Sequence, residues 1–316
     1  MGAFFHAVHV FFHHLAAVRW EALGIALALH VLKLWFRAIA WRSILDAAYP
    51  EHKPKLRTAF GAYVAGVGIN SIAPARGGDL VKLYLVKHRI PEASYATLAP
   101  TLVVETIFDF FVAGAVMLWA LSLGVLPAHQ VYERIPSVEW KWFVVHPRVA
   151  ATGFALFAIG VLVAFLLARR RLADFRARVG RGFAILRDRK RFLRGVILPQ
   201  AISWIFRVAA LYFFLKAFGV HASLHNALLV QVVDSLATLF PATPGGAGTK
   251  QGLIVYVFRR VRPKPPDSLL LAFSVGMNIA QVVCNLALGA IALLAMARTL
   301  SWKRLRLRQA AEEHAA

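Results

Sequence analysis

Two breaks in otherwise apolar sequence decide how this chain folds. The first is NSIAPARGGDLVK at residues 70–82, and the second is LFPATPGGAGTK at residues 239–250. Proline stops a helix, and glycine permits positive φ and close backbone approach. Each stretch therefore predicts an interruption between two short helices. The helices after the breaks are expected to begin near Asp79 and Thr249.

The composition around these breaks is that of an integral membrane protein. The 316 residues are 59% hydrophobic and only 16% charged. A soluble domain of this length would need more charge to cover its surface, and a disordered chain would be poorer in apolar residues. No long polar stretch is left to build a soluble catalytic domain. The one cysteine, Cys284, excludes an internal disulfide framework and multi-cysteine metal sites.

Five runs are long and apolar enough to cross a bilayer, which takes about 20 helical residues. They are Ala22–Leu45, Leu98–Leu126, Val149–Ala168, Gly195–Phe218 and Ser268–Ala297. Residues 1–20 place aromatic and leucine side chains near helical spacing, without a basic n-region or a small-residue cleavage site. They predict an interfacial helix rather than a secretory signal.

Basic residues predict the orientation of these spans in the cytoplasmic membrane. The net charge is +22, and arginine and lysine concentrate in the loop 169–194 and in the tail 298–316. Both segments are therefore expected in the cytoplasm, and the base-poor loop 127–147 is expected outside. Their position beside spans fits attraction to anionic lipids better than nucleic-acid binding. Nucleic acid is not an expected partner.

These orientations constrain the two interrupted stretches. Residues 59–86 lie between spans that end and begin inside, whereas residues 224–258 lie between spans that end and begin outside. We therefore predict two re-entrant hairpins that enter the membrane from opposite faces. The fold class is all-α: one polytopic transmembrane helical domain over the whole chain, with halves 22–126 and 195–297 in an inverted repeat around the linking span 149–168.

One observation opposes the second hairpin, because Arg259, Arg260, Arg262 and Lys264 would then lie outside. The alternative is that both stretches are ordinary spans kinked at proline.

Charges and predicted helix ends converge on the two breaks. A helix N-terminus presents free N–H groups and partial positive charge, so two helix N-termini that meet at mid-membrane would bind an anion.

An ionised side chain at the bilayer centre costs roughly 2.5–3.5 kcal/mol of insertion free energy. Glu105 and Asp109, spaced i,i+4, are therefore expected to partner cations. The candidate substrate-binding residues are Asn70, Pro74, Arg76, Gly77, Gly78, Asp79, Lys82, Glu105, Asp109, Arg207, Asp234, Thr243, Pro244, Gly245, Gly246, Gly248, Thr249 and Lys250.

Structural roles compete with this interpretation. The glycines could serve only close helix packing, and the charges could be buried ion pairs that fix helix register. Lys33 and Lys216 are expected to snorkel toward an interface. The histidines near the N-terminus are expected to be interfacial rather than metal ligands; they are His6, His9, His13 and His14.

The two breaks, together with VETIFD at residues 104–109, resemble the transmembrane, flippase-like region of lysylphosphatidylglycerol synthases. The resemblance extends from about Ala22 to Ala297 and implies a polytopic helical fold with re-entrant helices that moves lipids between leaflets. Family members often carry Glu-Arg where this chain has Glu105-Thr106, and an acidic residue where it has Gln251. No counterpart of the soluble aminoacyl-transferring domain is found, so synthase activity is not implied.

These observations together predict a lipid flippase or translocase for an anionic, phosphate-bearing lipid, without enzymatic chemistry of its own and without a cofactor. A lipid-synthesising enzyme is a candidate partner. One alternative is a membrane-embedded enzyme for a polyprenyl or other lipid, with Glu105 and Asp109 as acid–base or metal groups. Another is a scaffold for a lipid-modifying complex.

Overall fold

The computed structural model describes residues 17–73, 76–90, 92–122, 169–239, 249–258, 261 and 264–313. Within these residues the chain is helical and has no strand. The helices are α1 (Trp20–Ala48), α2 (Leu56–Asn70), α3 (Gly77–Lys87), α4 (Tyr95–Ser122), α5 (Arg169–Gly182), α6 (Arg189–Ala217), α7 (Leu224–Leu239), α8 (Thr249–Phe258) and α9 (Asp267–Glu313). The predicted N-terminal helix, the loop 127–147 and the span 149–168 lie outside the described residues.

In the part of the chain that the structure describes, four helices are long and apolar enough to cross a membrane: α1, α4, α6 and the part of α9 from Asp267 to Ala297. They coincide with four of the predicted spans and confirm a multi-pass helical membrane protein. Between them lie α2 and α3, of 15 and 11 residues, and α7 and α8, of 16 and 10 residues. Because a helix rises 1.5 Å per residue, α2 and α3 are each too short to cross about 30 Å of hydrocarbon alone, and so are the described parts of α7 and α8.

Both basic segments contain helical residues, and the first of them differs from the sequence prediction. Residues 169–194, expected to form a loop, contain α5, a 3₁₀ turn at Ala184–Arg187 and the first residues of α6. Arginine, alanine and leucine are strong helix formers, which accounts for the difference. The tail is likewise a direct continuation of α9 as far as Glu313. Residues Leu193–Ile197 of α6 form a π-helical turn.

Contacts between helix termini define two opposite ends of the bundle. At one end, the N–H of Arg19 before α1 donates to the carbonyl of Ala217 at the end of α6 (2.9 Å). At the other end, Gly195 near the start of α6 packs on Ser43 near the end of α1. We call this second end, which carries residues 43–57 and 182–195, the basic end. Helix α4 begins there, because Gly182 lies against its first turns.

Buried apolar side chains form two clusters, one toward each end. The cluster at the basic end includes Trp41, Val64, Leu98, Val196 and Met296. The cluster at the opposite end includes Ala26, Phe214, Val230, Ile254 and Phe273. On α4 and α6, Glu105, Asp109 and Arg207 lie between residues of the two clusters, so these ionisable groups occupy a central layer.

The two open ends of the α2–α3 pair lie at one level of α9. A Cβ added at Gly61, near the start of α2, would lie 3.1 Å from the Met296 sulfur, and Arg89, just beyond α3, donates to the Met296 carbonyl (2.7 Å). At the break, Ser71 accepts from the Asn285 amide (3.1 Å). Asn285 and Met296 are separated by about 16 Å along a helix. The break therefore lies about that much farther from the basic end.

Gly68 and Gly289 allow α2 to pack closely on α9. A Cβ added at Gly68 would lie 2.8 Å from the Asn285 carbonyl oxygen and 3.1 Å from the Gly289 Cα. We expect Gly68→Ala to lower the thermal unfolding midpoint in detergent, at a cost of about 1–3 kcal/mol, because backbone atoms must move. Gly114→Ala is the control, since nothing lies within 4 Å of an added Cβ there. Equal destabilisation by both variants would contradict the close packing.

Candidate functional site

Two carboxylates of α4 hold cations that come from two other helices. The Arg37 guanidinium of α1 donates to both oxygens of Asp109 (2.9 and 2.5 Å) and to Glu105 Oε1 (3.2 Å). The Lys82 ammonium of α3 donates to Glu105 Oε2 (2.6 Å). Each member of the i,i+4 carboxylate pair is therefore ion-paired. The side chains of Lys82 and Glu105 are each only 5% exposed.

Aromatic side chains complete this cluster. The Tyr63 hydroxyl donates to Glu105 (2.8 Å) and accepts from Arg37 Nε (2.6 Å), so it links the acid to the guanidinium. The Lys82 ammonium also lies 4.1 Å from the Trp41 ring centroid and 4.2 Å from the Tyr63 ring centroid. Attraction between a cation and an aromatic face strengthens when water is excluded, so the rings stabilise the buried charge.

The first break is closed by Asn70, the last residue of α2. Its side-chain oxygen accepts from the Gly78 N–H (2.8 Å), and its amide donates to Asp79 (3.1 Å). Arg76 adopts the left-handed conformation at φ 59° and pairs with Asp79 (2.9 Å). Because Asn70 satisfies a free N–H, α3 begins at Gly77, two residues before the predicted start. One N–H group expected to face an anion is thus already bonded.

A small cavity opens beside this break. Its volume is about 110 Å³, and it is lined by Arg37, Tyr63, Val67, Asn70, Arg76, Asp79, Lys82, Leu102, Glu105 and Thr106. One water needs roughly 10–15 Å³ of such a cavity, so this one admits several waters or a fragment of a headgroup. The Arg76 side chain is 71% exposed, so its charge is available to a ligand at the cavity.

A second charged cluster forms in the other half of the chain. Asp234 of α7 pairs with Lys250 of α8 (2.6 Å) and more loosely with Arg207 of α6 (3.9 Å). The Arg207 guanidinium lies 5.2 Å from the centroid of the Trp204 ring.

Trp204 joins the two clusters. Its indole N–H donates to Asp109 (2.8 Å), while its ring lies beside Arg207. A polar chain therefore runs through the central layer from one lysine to the other. We define this polar chain as Lys82, Glu105, Arg37, Asp109, Trp204, Arg207, Asp234 and Lys250.

A third polar group ties α9 to the first half of the chain. The ring of His30, which is 4% exposed, bonds to Asn285 (2.8 Å), and Asn285 donates to Ser71 (3.1 Å). The Lys33 ammonium lies 3.2 Å from the other ring nitrogen of His30. The prediction that Lys33 snorkels to an interface is therefore wrong, because a buried histidine holds its ammonium beside the central layer.

The structure brings together most of the predicted site residues that it describes. Pro74, Thr243, Pro244, Gly245, Gly246 and Gly248 lie outside the described residues. The candidate residues chosen from the sequence did not include Tyr63 and Trp204, because aromatic side chains in an apolar run usually serve packing. They also did not include Arg37. Both lysines were among the predicted residues. Their matching positions in the two halves are visible in the sequence, because Lys82 and Lys250 each follow their Gly-Gly pair by four residues.

The fold and the site together define a class: a multi-pass helical membrane protein with ion pairs between two apolar clusters. The chain belongs to the family described as the lysylphosphatidylglycerol synthase TM region, whose model matches residues 3–289. It is similar to UPF0104 membrane protein MJ1078 of Methanocaldococcus jannaschii, with 24% identity over 199 residues, covering 60% of this chain and 79% of the relative. No solved structure gives a significant match.

The Lys82–Glu105 pair offers a direct test of the buried cluster. We expect a double-mutant cycle with Lys82→Met and Glu105→Gln to give a coupling free energy of about 1–3 kcal/mol in unfolding experiments, because each single change removes the shortest ion pair of the other buried group. The exposed pair Lys264–Asp267 (3.4 Å) is the control, with Lys264→Met and Asp267→Asn. Its coupling should stay below about 1 kcal/mol. Additive effects at Lys82 and Glu105 would argue against the pair.

Proposed function

We propose that this protein moves an anionic, phosphate-bearing lipid between the two leaflets, with the headgroup passing along the polar chain. The observation that carries this proposal is the central layer of charge between two apolar clusters. Ionisable residues within membrane helices are costly and commonly mark a substrate path. Here they extend across both halves of the chain rather than forming one isolated structural pair.

The balance of charge favours an anionic headgroup. The described groups of the central layer and the first break include six cations: Lys33, Arg37, Arg76, Lys82, Arg207 and Lys250. They include four carboxylates: Asp79, Glu105, Asp109 and Asp234. Positive charge in excess at this depth is stabilised by a phosphate that enters between the helices.

We further propose that both short-helix pairs are re-entrant hairpins of an inverted repeat. Each half has the order long, short, short, long. The open ends of α2 and α3 lie together at the level of Met296, with their break deeper at Asn285. For the second pair, Val230 of α7 and Phe258 of α8 share the apolar cluster of the end opposite the basic one, while Asp234 and Lys250 meet Arg207 in the central layer.

The ion pairs provide a route for exchange rather than a site for acid–base chemistry. Both oxygens of Glu105 and both oxygens of Asp109 accept from cations or polar hydrogens. A phosphate has more acceptor oxygens than a carboxylate, so it can replace the carboxylate at one cation while the next carboxylate keeps its own partner. The headgroup would thereby pass from the first cluster to the second.

Lipid movement can be measured with a fluorescent phosphatidylglycerol in proteoliposomes, where dithionite quenches only the outer leaflet. We expect Arg76→Ala to slow movement at least tenfold, because it removes the exposed cation at the cavity while leaving every buried pair intact. Arg178→Ala is the matched control, since Arg178 is an exposed arginine of α5. Wild-type movement by Arg76→Ala would remove Arg76 from the mechanism. Absence of protein-dependent movement in the wild type would overturn the proposed function.

Re-entrant topology can be tested by labelling single cysteines with a membrane-impermeant maleimide in a Cys284→Ser background. Exposed residues flank each hairpin: Lys53 and His88 for the first, Leu224 and Lys264 for the second. We expect Lys53→Cys and His88→Cys to label from one face of sealed vesicles, and Leu224→Cys and Lys264→Cys from the other. Labelling of the two flanks of one hairpin from opposite faces would show that it crosses the membrane.

A further inference from the structure

A separate groove lies at the basic end, where α1 ends and α6 begins. Its volume is about 350 Å³, and its lining residues are Ser43, Asp46, Lys190, Arg191, Arg194 and Gly195. The two helices touch at its floor, since a Cβ added at Gly195 would lie 3.0 Å from the Ser43 Cβ. None of these residues belongs to the polar chain.

Positive charge dominates the groove. Lys190, Arg191 and Arg194 are exposed. Asp46, the one acidic residue that lines the groove, pairs with Arg42 outside the lining (3.6 Å). Asp46 also attracts Arg191 electrostatically, so the three cations that line the groove outnumber its one carboxylate and favour an anion with several acceptor oxygens.

The backbone that carries these cations is locally fixed. The Asp188 side chain accepts from the Arg191 N–H (3.0 Å) and caps the first turn of α6. Arg194 lies in the π-helical turn Leu193–Ile197, a feature that occurs often at functional sites because it redirects side chains. Three cations are thus presented from one short, capped segment.

An exposed apolar surface continues along α6 from the groove. Leu198 is 55% exposed and Ile205 is 67% exposed. Seven residues separate them, which places both on one face of a regular helix. From Arg194 to Ile205 the helix rises about 16 Å, which is close to half the thickness of the hydrocarbon core. A phosphate at the groove would therefore be followed by an apolar surface that matches one leaflet in length.

We propose that this groove binds one anionic phospholipid of the leaflet at the basic end. Lys190, Arg191 and Arg194 hold its phosphate, and its acyl chains lie along Leu198 and Ile205. Basic pockets between membrane helices are suited to anionic headgroups. The site is separate from the transport path and does not depend on the proposed translocation. The bound lipid would stabilise the contact between the end of α1 and the start of α6.

The test is native mass spectrometry of the purified full chain titrated with dioleoylphosphatidylglycerol or dioleoylphosphatidylcholine. For a variant combining Lys190→Gln, Arg191→Gln and Arg194→Gln, we expect the tightest phosphatidylglycerol adduct to weaken at least tenfold. The matched control combines Arg176→Gln, Arg178→Gln and Arg181→Gln, which removes the same charge from exposed positions of α5. It should change the affinity less than twofold. Equal weakening by both variants, or equal affinity of the wild type for both lipids, would overturn the proposal.

Two further measurements distinguish a lipid site from a site for free phosphate. Leu198→Asn should weaken phosphatidylglycerol binding severalfold, because it removes apolar contact without changing charge, and inorganic phosphate at the lipid concentration should not displace the lipid. No effect of Leu198→Asn, or displacement by equimolar phosphate, would overturn the lipid assignment.

The variant with all three groove substitutions could fail to fold. In that case Arg194→Gln alone should still weaken the phosphatidylglycerol adduct, and unchanged binding by that folded variant would overturn the proposal.

Discussion

The Arg37 guanidinium lies in the middle of α1, between the two apolar clusters, where an unpaired charge would be costly. It is accommodated because Asp109 takes two of its N–H groups and Glu105 takes a third. This requirement fixes α4 against α1 at one rotation and one depth. Glu105 then has an oxygen left for Lys82, which brings α3 to the same level. The arrangement of the first half therefore follows from neutralising one buried cation.

The broken backbone imposes a second constraint in the same layer. Peptide groups without helical partners must be bonded inside the protein, because lipid offers none. Asn70 meets this need for Gly78, and the contact is close because Gly78 lies directly against the Gly66 carbonyl. The chain thus places free backbone groups and ionised side chains together, so each makes the surroundings of the other more polar. Such a layer stabilises the fold and can also admit a charged headgroup.

Periodicity and hydropathy were sufficient to predict the four described long helices and the first break, because apolar length and proline–glycine interruptions are local properties. The need for Glu105 and Asp109 to find cations was also predictable from the energetic cost of burial. Their actual partners were not, since Arg37 and Asp109 are 72 residues apart and their pairing depends on how α1 and α4 are rotated. The start of α3 was misplaced for a similar reason: the group that caps it, Asn70, belongs to the preceding helix.

The two halves are similar in order but not in their ion pairs, and this difference bears on the proposed transport. Lys82 pairs with a carboxylate from the long helix that follows it, whereas Lys250 pairs with Asp234 from the short helix that precedes it. Among the described residues, Arg37 and Lys82 of the first cluster are balanced by Glu105 and Asp109, whereas Arg207 and Lys250 of the second share Asp234. The second cluster therefore has one cation in excess, whereas the first cluster has none. A headgroup that reaches Arg207 would gain more than it gains beside Arg37, so the polar chain itself would draw an anion inward from the first break.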